Sequence, residues 1–261
     1  MRQSKTTQLI KMLGEYALDA ERVILTTADL DGDSIGAMVA LHDLLRQFLP
    51  EVNVQLVCES HIPERYEFLV PQNCTFSCVD SIEKNAWRGD FVIIVDSDPG
   101  RFIKLGEAFF AAKYRGIVDH HQNVAQSAYH FAAYDPIAPS TTTLVYHLFA
   151  AGGVRPSLEA AYALYAGLVF DTSIFRYKLT TADSLRMAAD LTDLGVDHAM
   201  VVERLLLVQP LERVKLRAKV LSSMALFFGG KLAFSELKRE DAEDVDSGGL
   251  VDDLVFIEGV D

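Results

Sequence analysis

Cysteine is scarce, cationic side chains are outnumbered, and no apolar run is long enough to span a bilayer. Cys58, Cys74 and Cys78 are the only cysteines in 261 residues. An odd, low count excludes a disulfide framework. Cys74 and Cys78 are four apart but have no second ligand pair at zinc spacing, so all three are expected to be buried structural thiols. The missing apolar run argues against a membrane span. The polar, amphipathic segment from Met1 to Tyr16 is not a secretory signal. No membrane partner and a cytoplasmic location are the resulting expectations. Lys and Arg total 24 against 37 Asp and Glu, a net charge of −13. Such a surface offers little to a long nucleic acid. It leaves room for a small anion held locally. Internal repeats and low-complexity tracts are also missing.

What is present is acid and histidine at the ends of apolar runs. Val118-Asp119-His120-His121 follows the strand-like stretch from Tyr114. Asp29-Leu30-Asp31-Gly32-Asp33 follows Val23 to Thr27, and Asp96-Ser97-Asp98 follows Phe91 to Val95. Asp171 closes the apolar stretch Leu164 to Phe170. A parallel sheet brings the C-terminal ends of its strands to one edge, where ligands bind. Carboxylates crowded there raise one another's pKa values unless a cation joins them. With one or two divalent ions the same residues become a coordination shell. Gly32 permits a tight turn that aims Asp31 and Asp33 at one locus. Carboxylate mixed with imidazole favours Mn²⁺, Fe²⁺, Co²⁺ or Zn²⁺. Two such ions suit the hydrolysis of a phosphate ester by an activated water. Taken singly, each motif also reads as a solvated turn or a helix cap.

Periodicity predicts helices over 3–20, 34–48, 103–112, 140–150, 158–170, 181–194 and 198–208. It predicts strands over 23–27, 52–58, 91–95, 114–118 and 129–133, and a short helix over 63–69. The alternation is that of an α/β fold with a doubly wound, mostly parallel sheet. A long helix over 210–228 reads as a connector. A strand over 231–237, an acidic surface loop over 238–246 and a helix over 249–257 form a partial α+β segment. Three parts are expected: a catalytic-type domain over 1–208, the connector over 209–228 and an incomplete C-terminal domain over 229–261.

Four motifs, in order, resemble the DHH phosphoesterase superfamily. They are Asp31-Gly32-Asp33-Ser34-Ile35-Gly36-Ala37, Val95-Asp96-Ser97-Asp98, Asp119-His120-His121-Gln122-Asn123, and Gly167 to Thr172 with Phe175-Arg176-Tyr177. The likeness extends over nearly the whole chain and is nearest the RecJ-like branch of nanoRNases and pAp phosphatases. It implies an Mn²⁺ site from Asp33, Asp96, His120 and Asp171. It implies a second from Asp31 and Asp96, with Asp96 bridging, so one or two ions. The implied catalytic residues are His121 and Asp119, with Asp119 orienting the ligands. His121 and Arg176 are implied as substrate-binding. The implied activity is metal-dependent hydrolysis of pAp, pApA or short oligonucleotides, and a homodimer is compatible with it. The chain departs from the family pattern at Thr27, where the first motif normally carries a ligand histidine. From Gly229 onward it has no glycine-rich, histidine-containing substrate motif. Both departures fit a competing reading: an impaired or non-catalytic nucleotide-binding protein on the same fold.

Overall fold

The computed structural model describes residues 3–241 and 249–260. Contacts divide the chain into two compact units, residues 1–205 and 206–261.

The first unit is built on strands β1 (Val23–Thr27), β2 (Val54–Cys58), β3 (Phe76–Cys78), β4 (Phe91–Val95), β5 (Tyr114–Asp119) and β6 (Phe131–Tyr134). They form one six-stranded sheet in the order β3-β2-β1-β4-β5-β6, parallel throughout. β1 and β4 are buried at every residue, which explains their unbroken apolar runs: parallel strands are covered on both faces. The order reverses between β1 and β4. That is the switch point where a crevice opens at the carboxyl ends of the strands.

The helices are α1 (Gln3–Asp19), α2 (Gly32–Phe48), α3 (Gly106–Ala111), α4 (Thr141–Gly152), α5 (Leu158–Asp171), α6 (Ala182–Asp193) and α7 (His198–Val202). α2 packs against α4 and α5 and is buried over most of its length. Glycine makes this approach possible. A Cβ on Gly36 would stand 2.4 Å from the Ala163 carbonyl oxygen, and one on Gly167 2.4 Å from an Asp33 carboxylate oxygen. α3 belongs to a separate core cluster with Ile24, Trp87, Val92, Ile94 and Phe109. The sheet is therefore doubly wound, as the sequence predicts.

Some expected elements differ. β3 has no apolar signature in the sequence and stands out only by pairing with β2. The 63–69 helix is a 3₁₀ segment, Glu64–Leu69. The 198–208 helix gives way after Val202 to a π turn over Glu203–Leu207.

In the second unit the connector helix is shorter than expected. α8 covers Leu211–Ser222, and the following residues form a hairpin of β7 (Ala225–Phe227) and β8 (Leu232–Phe234). Gly229 and Gly230, both at positive φ, make the turn that a helix could not continue through. The last helix, α9, covers only Asp252–Val255. Leu216, Val220, Leu250 and Leu254 form this unit's small core. Part of the acidic 238–246 stretch lies outside the described residues. No described helix is long and apolar enough to cross a membrane.

Candidate metal centre

Each arm of the site is aimed by local structure. Asp31 is the N-cap of α2. Its Oδ1 accepts from the backbone N–H of Asp33 (3.0 Å) and Ser34 (2.9 Å), and Ser34 closes a capping box. That cap places Asp33 in the first turn of α2, fully buried. Asp33 in turn receives the start of α4. Thr141 N–H donates to its Oδ2 (2.6 Å), while Thr142 N–H (3.0 Å) and the Thr142 hydroxyl (2.7 Å) donate to its Oδ1. Ser140 caps α4 from beneath. The Thr141 hydroxyl donates to Asp96 Oδ1 at 2.7 Å. One helix N-terminus thus orients two carboxylates, with its dipole favouring their charge. The role of Thr141 is readable only with Asp33 in place, 108 residues earlier in the sequence.

Asp96 sits just past β4 with φ 55°. A non-glycine residue in the left-handed region signals a strained position, and such strain clusters at functional sites. Asp119 ends β5 and is buried. Its Oδ1 binds His121 twice, at the backbone N–H (2.9 Å) and at Nδ1 (2.8 Å). His120 turns the other way. Its Nδ1 meets the Ala138 carbonyl oxygen at 3.1 Å, so Nδ1 carries the proton and Nε2 faces the acids. Nε2 lies 2.9 Å from Asp171 Oδ2, 3.7 Å from Asp96 Oδ1 and 4.0 Å from Asp33 Oδ2. This is the arrangement of a ligating histidine fixed by a backbone carbonyl. Asp171 arrives at the C-terminal end of α5 rather than from a strand.

Two sets of donor atoms result, each within 4.8 Å of one another: Asp33, His120 and Asp171; and Asp96, His120 and His121. Their electrostatics suit a cation. Burial, then the charge of Asp33, pushes Asp171 up to about 7. Burial and the charges of Asp33, Asp31 and Asp171 push Asp96 well above the usual carboxylate range. Asp31 is raised chiefly by burial. Burial alone would lower His120, yet its bond to Asp171 and the nearby charges lift it to about 9. His121 is raised by its bond to Asp119. Protons hold this cluster together where a divalent ion would do so better. The mixed oxygen and nitrogen donors fit Mn²⁺-type ions.

Not every expected residue joins. Asp31 spends Oδ1 on the helix cap and enters neither donor set. Thr27 closes its hydroxyl on its own loop, donating to the Asp29 carbonyl at 3.0 Å. Asp29 is tied to the Ser97 hydroxyl (3.0 Å) and to Arg101 (2.7 Å); sequence reasoning missed Arg101, whose only signal is its place five residues after Asp96. Arg176 folds back on the turn after α5 and donates to the Ser173 carbonyl (2.9 Å) and hydroxyl. Ser173, Ile174 and Phe175 all have positive φ in that turn. Two of the three thiols match expectation, while Cys78 is only half-buried. Cys58 and Cys74 are buried, and burial pushes both up to about 12, so they are unreactive.

Known proteins share this frame. A bifunctional oligoribonuclease and PAP phosphatase, NrnA, from Thermus thermophilus is 29% identical over 93% of this chain and 71% of its own length. The Bacillus subtilis protein of the same name is 29% identical over 62% of this chain. The chain spans about half of that relative, 49%. An exopolyphosphatase-related protein from Bacteroides fragilis superposes with a TM-score of 0.84 at 20% identity, covering 97% of this chain and 77% of its own. A putative family II inorganic pyrophosphatase from Methanococcus jannaschii gives 0.55 at 18% identity, over 80% of this chain and 68% of its own. Residues 22–168, more than half of the chain and holding all the expected site residues except Asp171 and Arg176, match the N-terminal domain of the DHH family, and the chain belongs to that family.

Proposed function

We propose that this chain is a metal-dependent phosphoesterase acting on small nucleotides: pAp, pApA or oligonucleotides of a few residues. The observation that carries this reading is the convergence of Asp33, His120 and Asp171 donor atoms, with Asp96 beside them. Asp33, Asp96, His120 and Asp171 would hold an Mn²⁺ ion. The bound ion supplies Lewis-acid charge at the phosphoryl group and activates water. Asp119 holds His121 by Nδ1 and favours its protonated form. His121 Nε2 is then left to donate to a phosphoryl oxygen or to the leaving oxygen. The names of the relatives support a nucleotide substrate, and the net negative charge supports a short one. Residues 229–261 are read as the beginning of a substrate-holding domain. Arg176 is kept as a phosphate contact that would have to leave Ser173 first.

A second reading is favoured by the Thr27 loop. With Thr27 bound to its own backbone and Asp29 paired to Arg101, a second ion would find few donors, and catalysis would be weak or lost. One assay separates the two: Mn²⁺-dependent hydrolysis of bis-p-nitrophenyl phosphate and pAp. Turnover abolished by Asp96→Ala establishes the enzyme. A folded protein that turns over neither substrate with any divalent metal leaves the binding role.

A further inference from the structure

Next to the acidic cluster lies a cavity of about 380 Å³, most of whose lining the hydrolytic chemistry does not use. Its size falls in the range of small-ligand sites, roughly 300–1,000 Å³. Asp119 and His121 belong to its wall, which puts the cavity beside the cluster. The rest of the wall is mixed: it includes the rings of Phe109, Phe110 and Tyr129 and Arg115 from β5, together with polar groups such as Asp98 and Asn123.

This wall is braced from behind. Phe109 is fully buried in the α3 core, with its ring centroid 5.4 Å from Phe110 and 6.4 Å from Tyr129. Phe110 is 59% exposed, so much of its ring is open to a ligand. Arg115 donates from Nη1 to the Phe110 carbonyl at 3.3 Å, which holds the guanidinium at the wall. Tyr129 is half-buried, and burial with Asp98 and Asp119 pushes its phenol up to about 12. Its hydroxyl therefore keeps its proton at neutral pH and is a donor. No described residue accepts that proton.

We infer that this cavity takes the planar base of a nucleotide whose phosphate lies at the His121 edge of the cluster. The inference rests on the nucleotide reading above and adds where recognition of the base occurs. A phosphate or a sugar has no use for the open rings of Phe110 and Tyr129. A heteroaromatic base stacks on such rings whatever its identity, and it presents acceptors to the Tyr129 hydroxyl and the Arg115 guanidinium.

The test compares AMP with ribose 5-phosphate, which share the phosphate and sugar and differ in the base. Calorimetry on the intact chain with Mn²⁺ should give AMP an affinity about tenfold higher or more, the size of one base–aromatic stack. Phe110→Ala and Tyr129→Leu should each bring that ratio toward one while affinity for ribose 5-phosphate moves less than about twofold. Phe110 lies at the surface, so its variant serves if Tyr129→Leu does not fold. Equal affinities in the unaltered chain would overturn the inference, as would a ratio that neither variant changes. Asp33→Asn separates this from the hydrolytic proposal: it should end turnover and keep the AMP preference. A chain that prefers AMP through Phe110 and Tyr129 but hydrolyses nothing retains the cavity and loses the enzyme. A chain that hydrolyses pAp with no preference for AMP loses the cavity alone.

Discussion

At the Asp33 end of the cluster, donors from α2, from the residue after β5 and from the end of α5 lie within 4.8 Å of one another, and the N-terminus of α4 locks the central carboxylate with three hydrogen bonds. At the Thr27 end, the polar groups are as numerous but are spent on one another. Thr27 binds Asp29, Asp31 caps α2, and Asp29 is held by Ser97 and Arg101. Both ends are rich in carboxylate, so composition does not separate them. What separates them is whether the hydrogen bonds orient a donor toward a shared point or consume it. The difference predicts one tight and one weak site for a divalent ion.

The largest effect should come from removing a donor at the tight end. Asp33→Ala should lower phosphoesterase activity by at least about a thousandfold, because the cation that activates water is lost. In a metal titration followed by atomic emission, the tight equivalent of Mn²⁺ should vanish. A variant that still binds one tight Mn²⁺ would put the tight site elsewhere and erase the contrast between the two ends.

Next in size is Gly167→Ala, which touches no metal. Its Cβ would stand 2.4 Å from both Asp33 Oδ1 and Thr142 Cγ2. Overpacking of this kind costs about 1–3 kcal/mol. Displacing a group that orients a ligand typically lowers metal affinity by about 10–100-fold. Both losses should appear together, in thermal unfolding and in Mn²⁺ titration. Lost stability with unchanged Mn²⁺ affinity would show that α5 does not position Asp33.

The acid–base behaviour of the metal-free chain offers a third way to sharpen the contrast. Asp171 (about 7), Asp96 and Asp31 are all raised when folded, as is His120 (about 9). At the cluster the folded chain therefore binds more protons than the unfolded one. The carboxylates' contribution is full below about pH 4, and that of His120 below about pH 6.5. Both are lost as pH rises through the folded values. Metal-free protein should lose stability from pH 5 to pH 9, on the order of a few kcal/mol, at roughly 2–4 °C of Tm per kcal/mol for a unit of this size. Saturating Mn²⁺ should remove most of that slope, since the ion takes the place of the protons. A metal-free Tm that rises over this range would contradict the crowding of carboxylates at the cluster.

The contrast also marks how far the sequence could be read. Strand β4 announces itself as Phe91-Val92-Ile93-Ile94-Val95 because burial on both faces leaves no polar gap, and Asp96 follows it directly. The Asp119-His120-His121 run is equally local. The long helix expected over 210–228 fails because propensity continues past Ser222 while the two glycines at 229 and 230 allow a hairpin to win. The role of Thr141 and Thr142 is invisible along the chain: two threonines at a helix start gain meaning only from a carboxylate more than a hundred residues away. Arg101 is harder still, since its partner Asp29 carries the same signature as the acids of the cluster.

The smallest expected effect probes that last pair. Arg101 is 63% exposed, so its bond to Asp29 contributes at most about 1 kcal/mol to stability, and Arg101→Ala should leave Tm within about 2 °C. Its consequence is for the weak end. Freed of the guanidinium, Asp29 keeps only the Ser97 hydroxyl and can turn a carboxylate oxygen toward a second cation, beside the unused oxygen of Asp31. The second Mn²⁺ equivalent should tighten severalfold in the variant while the first is unmoved, since Asp33, His120 and Asp171 make no bond to Arg101. If the second equivalent stays as weak as before, the shortage at this end belongs to Thr27 rather than to the ion pair, and Thr27→His becomes the change that should supply the missing ligand. If the first equivalent weakens as well, the two ends are coupled through Ser97 and Asp96, and the division of the cluster into a held and a spent half no longer stands.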